Sequence, residues 1–483
     1  MLEAISKNHV YRNLIGGEWV DSPDYIADIN PSDTNDVIGK FAMATQSDLD
    51  RAIAAASAAQ ESWADVTPQE RSDKLELVAA ELMVRRNELA YQLSREEGKT
   101  LPEATAEVVK ASQVFRFFAG EAIRSAGEHV RSIRSSIDVD VARRPVGVVA
   151  LITPWNFPLS IPAWKTAPAL AYGNVVILKP SELTCASAWS LAEVLDKHLP
   201  KSVFQLLMGD ARVGAALCSH TAVNAVSFTG SERTGAKIAT AVHKRGARLQ
   251  MEMGGKNPLL VMEDANLDLA VKHAITGAFY STGQRCTASS RLIVSGAIHD
   301  RFVEGLVNVM KGLRVGHALV PETQIGPMVN DVQLRRTLDF IEIGCKEGAE
   351  LVFGGERLER QTPGCFVSPA LFTGTKSSQR INQEEIFGPV AAVIKVNDID
   401  EAIAVANDTP YGLCAGLMTN SLAYVAKFRK QINSGMAMIN VPTVGTDYHV
   451  PFGGAGASAY GPREMGPSAR EFFTSSRTIY TAV

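Results

Sequence analysis

The sequence has no CxxC pair and no cluster of cysteine with histidine: its six cysteines, at 185, 218, 286, 345, 365 and 414, are scattered along the chain. That spacing excludes a disulfide framework and a zinc site, leaves no metal expected, and suits a reducing compartment. No uninterrupted apolar run of about 18 residues occurs, which removes a membrane-spanning helix from consideration. The first residues, MLEAISKNHVYRNLIGGEWV, mix charged and polar side chains where a secretory signal needs an apolar stretch. A cytoplasmic protein is expected. Excess positive charge is missing as well: 48 basic against 52 acidic residues give a net charge of -4, with no basic arm or acidic tail. Neither nucleic acid nor a membrane is therefore an expected partner.

What is present is an ordinary globular composition, 46% hydrophobic and 21% charged, over 483 residues. That length exceeds what one core fills, so two or more domains are expected. The first 145 residues read as helical after a short extended start. SDLDRAIAAASAAQESW sets Ser47 and Asp50 at capping-box spacing ahead of an alanine-rich run. A second long helix is expected after Pro68, with Gly98 as its stop.

From Val146 short apolar runs alternate with helical stretches such as TCASAWSLAEVLDKHL. VGVVALI (146–152), NVVILK (174–179), VFQLLM (203–208), NAVSF (224–228) and NPLLVM (257–262) have the length and β-branched content of buried strands. Strands alternating with helices imply an α/β fold with a parallel sheet covered on both faces, and such sheets bind ligands beyond the carboxyl ends of their strands. Each strand end here carries polar residues, glycine or proline: TPWNFP after the first, KPSE after the second, TGSERTG after the fourth. Gly230 and Gly235 have GxxxxG spacing without the GKS/T ending of a phosphate loop, so by themselves they equally describe a strand-to-helix turn starting at Thr229 or Ser231.

Two further residues stand out. Glu252 lies in a short apolar run before paired glycines, where most lone glutamates would sit at an exposed edge. Cys286 lies in STGQRCTASS. A free cysteine is most often a small buried hydrophobe, but Gly283, Thr287, Ala288, Ser289 and Ser290 surround this one with small side chains, giving the access a nucleophilic thiol needs.

TPWNFP, KPSE, FTGS, MEMGGKNP, GQRC, EEIFGPV and PFGG follow one another in the order and approximate spacing of the NAD(P)-dependent aldehyde dehydrogenase superfamily, which the chain resembles from about residue 12 to its end. The resemblance implies that the Cys286 thiolate attacks an aldehyde to give a thiohemiacetal, and that the Asn156 amide and the Cys286 N–H hold the oxyanion. It implies that Glu252 activates water against the resulting thioester, and it adds Lys165 to the catalytic set. Cysteine suits both halves of such a cycle, because a thiol adds reversibly to an aldehyde and departs readily as a thiolate. For NAD the resemblance implies Ile152, Trp155, Lys179, Ser181, Glu182, Gly209, Gly230, Ser231, Gly254, Glu385 and Phe387. A carboxylate at 182 accepts hydrogen bonds from a ribose 2′-hydroxyl and repels a 2′-phosphate, favouring NAD over NADP.

For the substrate, Phe157, Trp164 and Phe452 match tunnel-lining positions, with core packing as their ordinary alternative. Arg285 matches a pocket-facing position able to pair with a substrate carboxylate or, equally, to serve as a solvated or inter-domain side chain. Tyr448 and His449 are candidates for further polar contacts. MEMGGKNP with ITGAFYSTGQRCTASSR is most similar to the bacterial branch acting on α-ketoglutarate semialdehyde. Trp164 stands where succinate semialdehyde dehydrogenases commonly carry arginine. An uncharged aromatic or aliphatic aldehyde is the alternative. Glu252 argues against a CoA-acylating enzyme, and Asn156, Glu252, Cys286 and Glu385 together argue against a noncatalytic structural protein.

The architecture implied is a Rossmann-like NAD(P)-binding domain (1–123 and 145–253), an α/β catalytic domain (254–448), a small β oligomerisation arm (124–144 and 466–483), and a returning segment lining the substrate tunnel (449–465). Strand edges exposed in the arm imply a homodimer or a homotetramer.

Overall fold

The five apolar runs expected as strands between 146 and 262 are strands in the computed structural model, which describes residues 9–124 and 126–482. Residues 1–8, Ser125 and Val483, which fall in the expected dinucleotide domain and arm, lie outside the described residues; so does the start of the stretch examined for a signal. Val148–Ile152, Val175–Lys179, Phe204–Leu206, Ala225–Thr229 and Arg248–Glu252 form a parallel array, buried at nearly every position. Their unbroken apolar character reflects helices on both faces of the sheet. Asn13–Ile15, Glu18–Val20 and Ala459–Tyr460 complete an eight-stranded sheet.

The order within that sheet positions the site. From Val148–Ile152 the chain adds Val175–Lys179 and then Phe204–Leu206 on one side, and afterwards Ala225–Thr229 and Arg248–Glu252 on the other. The reversal leaves a crevice beyond Ile152 and Thr229, where the loops from two neighbouring strands diverge. A second sheet of seven strands, which includes Asn257–Val261, Ser289–Ser295 and Val390–Val396, has its own core. A third sheet pairs Glu128–Arg131 with Ile137–Pro145 and Ile137–Pro145 with Thr474–Ala482. Just before its last strand, Ala469, Phe472 and Phe473 are buried in the core of the first sheet.

Three readings of the N-terminal third are corrected. The extended start is longer than expected, with five short strands between His9 and Ala42, and a further pair falls before residue 145. The first helix, Gln46–Asp65, is capped by Thr45, not Ser47: the Thr45 hydroxyl accepts from the Asp48 N–H at 3.2 Å and the Asp48 carboxylate accepts from the Thr45 N–H at 2.9 Å. The long helix after Pro68 is two, Pro68–Val84 and Arg86–Glu97. They divide at Arg85, whose guanidinium is held by Glu88 at 2.6 Å and Glu193 at 3.3 Å. Gly98 does end the second, at a φ of 93° that favours glycine.

Candidate active site

The loop carrying Cys286 is built against backbone preference. Ser281, Thr282 and Gly283 take φ values of 51°, 56° and 65°, three consecutive left-handed residues of which two bear side chains. Such a conformation persists only when its surroundings enforce it. Here Glu103 accepts from the Ser281 N–H at 2.8 Å, and the Thr282 hydroxyl donates to the Gly326 carbonyl at 3.0 Å. Gly283 lies so close to the Gly388 and Pro389 backbone that a Cβ would not fit. Beyond the cysteine, Asn257 Nδ2 donates to the Cys286 and Ala288 carbonyls at 2.7 and 3.0 Å, and Thr443 Oγ1 donates to the Thr287 carbonyl at 2.8 Å.

Cys286 is half-buried and opens on a cleft of about 130 Å³ at the crevice described above. Trp155, Asn156, Gly230, Ser231, Gly254, Glu385 and Phe387, all expected from sequence, share its wall. Trp155 and Phe387 meet edge to face with centroids 5.2 Å apart. Glu385 accepts from the Gly255 N–H at 3.0 Å, and its carboxylate approaches Gly254 where a Cβ would otherwise stand. Ser231 caps the helix Glu232–Lys244, so the positive end of that helix faces the cleft.

Five expected cofactor residues lie beside the cleft instead of on its wall. Ile152 and Lys179 are register partners at the ends of adjacent strands, and Gly209 follows the next strand. Lys179 Nζ stands 3.5 Å from the Glu182 carboxylate; the lysine is buried and the glutamate exposed. Ser181 caps the turn between them, its hydroxyl accepting from the Leu183 N–H at 3.3 Å. This line of polar groups at the strand ends, continuing into a helix N-terminus and ending at the Glu385 carboxylate, fits an elongated ligand with hydroxyls at its ends and an anion between them.

Glu252 ends its strand with its side chain buried, and it turns from the cleft towards Gly453 and Gly454. Its carboxylate lies against the Gly453 and Gly454 backbone, and Oε2 is buried without a hydrogen-bond partner among the described residues. Beneath it Lys165 and Glu464 form an ion pair; Lys165 also donates to Ser227 Oγ at 2.8 Å. Burial foremost, then the Glu464 carboxylate, pushes the Glu252 carboxyl well above its usual range, against the pull of Lys165 and Arg463. Burial also raises the Cys286 thiol, with Glu385 and Glu252 adding to it, and raises Glu385 itself to about 7.

None of the four substrate candidates, Phe157, Trp164, Arg285 and Phe452, is on the wall of the cleft. Trp164 and Phe452 are buried with ring centroids 5.5 Å apart, and Phe157 lies 4.1 Å beneath Lys99 Nζ. Arg285, expected either to face the pocket or to serve as a solvated or inter-domain side chain, donates its guanidinium to Glu103 at 3.2 Å and to Ser281 Oγ at 2.7 Å. Desolvation favours this, because an arginine beside a buried loop finds its nearest compensation in a carboxylate already there.

Several residues that organise the site were not singled out from sequence. Lys99 donates to Glu107 at 2.5 Å and to the Asn156 carbonyl at 2.7 Å, while Glu107 accepts from the Leu159 and Ser160 N–H groups at 2.9 and 3.0 Å. Lys99 stands just before the helix Leu101–Ile123 and Glu103 and Glu107 lie in its first two turns, a four-residue spacing that in sequence reads equally as a solvated helix face. Glu464 belongs to none of the seven motifs; its backbone exchanges hydrogen bonds with Phe452 at 2.7 and 2.9 Å.

Residues 19–479 match the aldehyde dehydrogenase family. The chain belongs to that family. It is 42% identical over 487 residues to the alpha-ketoglutaric semialdehyde dehydrogenase of Bacillus subtilis (strain 168), covering 99% of each chain. To the betaine aldehyde dehydrogenase of Mesorhizobium japonicum it is 39% identical, covering 92% of each. Among solved structures, a point mutant of the betaine aldehyde dehydrogenase of Staphylococcus aureus in complex with NAD+ superposes with a TM-score of 0.95 at 34% identity, over 98% of this chain and 97% of that one. An NAD-dependent aldehyde dehydrogenase from Sinorhizobium meliloti gives 0.96 at 32% identity, over 99% and 95%. The fold is thus that of an aldehyde dehydrogenase throughout. No helix among the described residues of this family member is long and apolar enough to cross a membrane.

Proposed function

We propose that the protein oxidises a short semialdehyde bearing a distal carboxylate, such as α-ketoglutarate semialdehyde, to the corresponding acid, with NAD as cofactor. The observation that carries the chemistry is the convergence of Cys286, Asn156 and Glu385 on one cleft, with Glu252 at the neighbouring strand end. The substrate class rests on relatives named for α-ketoglutarate semialdehyde, 42% and 38% identical to this chain.

The Cys286 thiolate adds to the aldehyde carbon, and the carbonyl electron pair moves to oxygen. That oxygen accepts from the Asn156 amide and the Cys286 N–H, a preorganised pair of donors worth about 3 to 4 kcal/mol each. NAD, when bound, is the hydride acceptor that brings the adduct to the thioester level. Lys179 and Glu182 hold one ribose of the cofactor, Gly230 and Ser231 its pyrophosphate, and Glu385 with Phe387 the nicotinamide end; Trp155, Gly209, Ile152, Ser181 and Gly254 shape the path. Glu252 then takes a proton from water as the oxygen attacks the thioester carbon. The C–S bond breaks, Cys286 leaves as a thiolate, and the acid departs. This requires the Glu252 carboxylate to leave Gly454 and turn into the cleft. A raised pKa makes it the stronger base once deprotonated.

In this reading residues 1–123 and 145–253 hold the cofactor, 254–448 carry the nucleophile, and 449–465 close the tunnel. Residues 124–144 and 466–483 pair with a neighbouring copy in a homodimer or tetramer. Six unpaired cysteines suit a cytoplasmic setting. The buried aromatic pair Trp164 and Phe452 favours one second reading, an uncharged aromatic or aliphatic aldehyde. Absorbance of the reduced nicotinamide, followed across aldehydes with and without a distal carboxylate and with NAD and NADP separately, decides between them. The highest kcat/KM is expected for the carboxylate-bearing semialdehyde with NAD. Preference for uncharged aldehydes overturns the substrate assignment, and no turnover of any aldehyde overturns the activity.

A further inference from the structure

The proposed substrate carries a negative charge at its far end, and Arg285 is already paired with Glu103. Of the other buried lysines of this region, Lys99 pairs with Glu107 and Lys165 with Glu464, while Lys256 is wholly buried beyond Gly254 with no hydrogen-bond partner among the described residues. Lys110 differs. It is half-buried on the helix Leu101–Ile123, and no carboxylate stands within ion-pair distance of its ammonium among the described residues. Among the described residues its Nζ donates to Thr446 alone, to the carbonyl and, at 3.1 Å, to the hydroxyl. Two acceptors on one residue leave the third N–H of the ammonium free.

Its place in the fold is between the two strands of chain that frame the cysteine. On its own helix face, Glu107 lies one turn earlier and holds the Leu159 and Ser160 N–H groups, just beyond Asn156 and Phe157. Two turns later Phe117 packs against Tyr448 with centroids 5.9 Å apart. Facing it, Thr446 is three residues beyond Thr443, which is bonded to the Thr287 carbonyl next to the nucleophile. The same segment runs on to Phe452, which packs on Trp164. On the semialdehyde reading above, an aldehyde held at Cys286 and Asn156 would extend its far end towards this surface. A desolvated ammonium with no carboxylate in ion-pair contact is costly: burial pulls the lysine down to about 8, and the charge of Asp447, next to Thr446, offsets that only in part. A ligand carboxylate arriving there relieves that cost and makes a charge-assisted hydrogen bond.

We infer that Lys110 is the anchor for the distal carboxylate of the substrate, with Thr446 holding its ammonium in place. The inference rests on the semialdehyde reading above. It makes Lys110 a residue of specificity, acting at the end of the substrate remote from the reacting carbon.

The test compares wild type, Lys110→Met and Lys110→Arg on a five-carbon semialdehyde with a distal carboxylate and on an uncharged aldehyde of equal length. Lys110→Met is expected to raise KM for the carboxylate substrate about 10- to 100-fold, the size of a lost charge-assisted bond. Its effect on kcat is smaller, and its effect on the uncharged aldehyde at least about tenfold weaker. Lys110→Arg restores most of the loss. Turnover of the uncharged aldehyde reports that the variant has folded. Equal losses on both aldehydes, or an unchanged KM for the carboxylate substrate, overturn the anchor while the substrate reading stands, provided wild type prefers that substrate. A wild type without that preference overturns the substrate reading and the anchor with it.

Discussion

The side-chain amide of Asn156 donates to the backbone carbonyl of Gln284 at 3.0 Å. Asn156 follows a strand of the first sheet and Gln284 stands two residues before Cys286, so one hydrogen bond ties the two halves of the cleft. An amide NH2 has two protons, and this bond uses one while aiming the other.

Removing that second donor tests the arrangement. Asn156→Ala is expected to lower kcat about 100- to 1,000-fold, the cost of one oxyanion donor, with a much smaller change in KM. Steady-state kinetics on the preferred aldehyde would show it. A loss confined to KM would place Asn156 in substrate binding alone.

The backbone of the same residue is held from behind by the buried Lys99–Glu107 pair. Breaking a buried pair leaves an uncompensated charge, at a cost of about 3 to 5 kcal/mol. Lys99→Met and Glu107→Leu should each destabilise the protein by about that amount, and the double variant by less than their sum. Thermal or urea unfolding of the three variants measures it; strict additivity would mean the two side chains do not act as a pair.

The Cys286 thiol has a direct readout in alkylation. Burial raises its pKa, and the negative charge of Glu385 raises it further. A neighbouring anion disfavours a thiolate, so removing it lowers the thiol pKa. In the cofactor-free protein, the iodoacetamide rate is expected to climb with pH beyond the ordinary thiol range. Glu385→Gln should shift that profile to lower pH. A shift in the opposite direction would show that Glu385 activates the thiol.

The parallel strands were legible because burial on both faces imposes continuous apolar runs, as in VVALI and VVILK, and the cleft followed because loops diverge where strand order reverses. Cys286, Asn156, Glu385, Trp155 and Phe387 came from ordered motifs, which encode local chain. Contacts between distant segments were not legible in the same way. Nothing in GQRC reveals that Arg285 meets Glu103, 182 positions earlier. Nor does KTLPEATAE distinguish a face buried against Asn156 from one in water, since four-residue spacing is common to both. The break at Arg85 depended on Glu193, again remote in sequence.

The arrangement beneath Glu252 supports a prediction with two opposite signs. Deacylation needs this carboxylate deprotonated, so its rate should fall as pH drops through the raised Glu252 pKa. Glu464 raises that pKa by like-charge repulsion and Lys165 lowers it. Glu464→Gln should therefore move the acid limb of deacylation to lower pH, and Lys165→Met should move it to higher pH. Glu252→Gln should keep a burst of reduced nicotinamide of about one equivalent per active site, because thioester formation precedes the step that needs the base. Steady-state turnover after that burst should be largely lost. Rapid-mixing absorbance separates the burst from the steady state, and repeating it across pH gives the limb for each variant. Shifts of the same sign in Glu464→Gln and Lys165→Met would mean the buried pair acts on Glu252 through packing and not through charge.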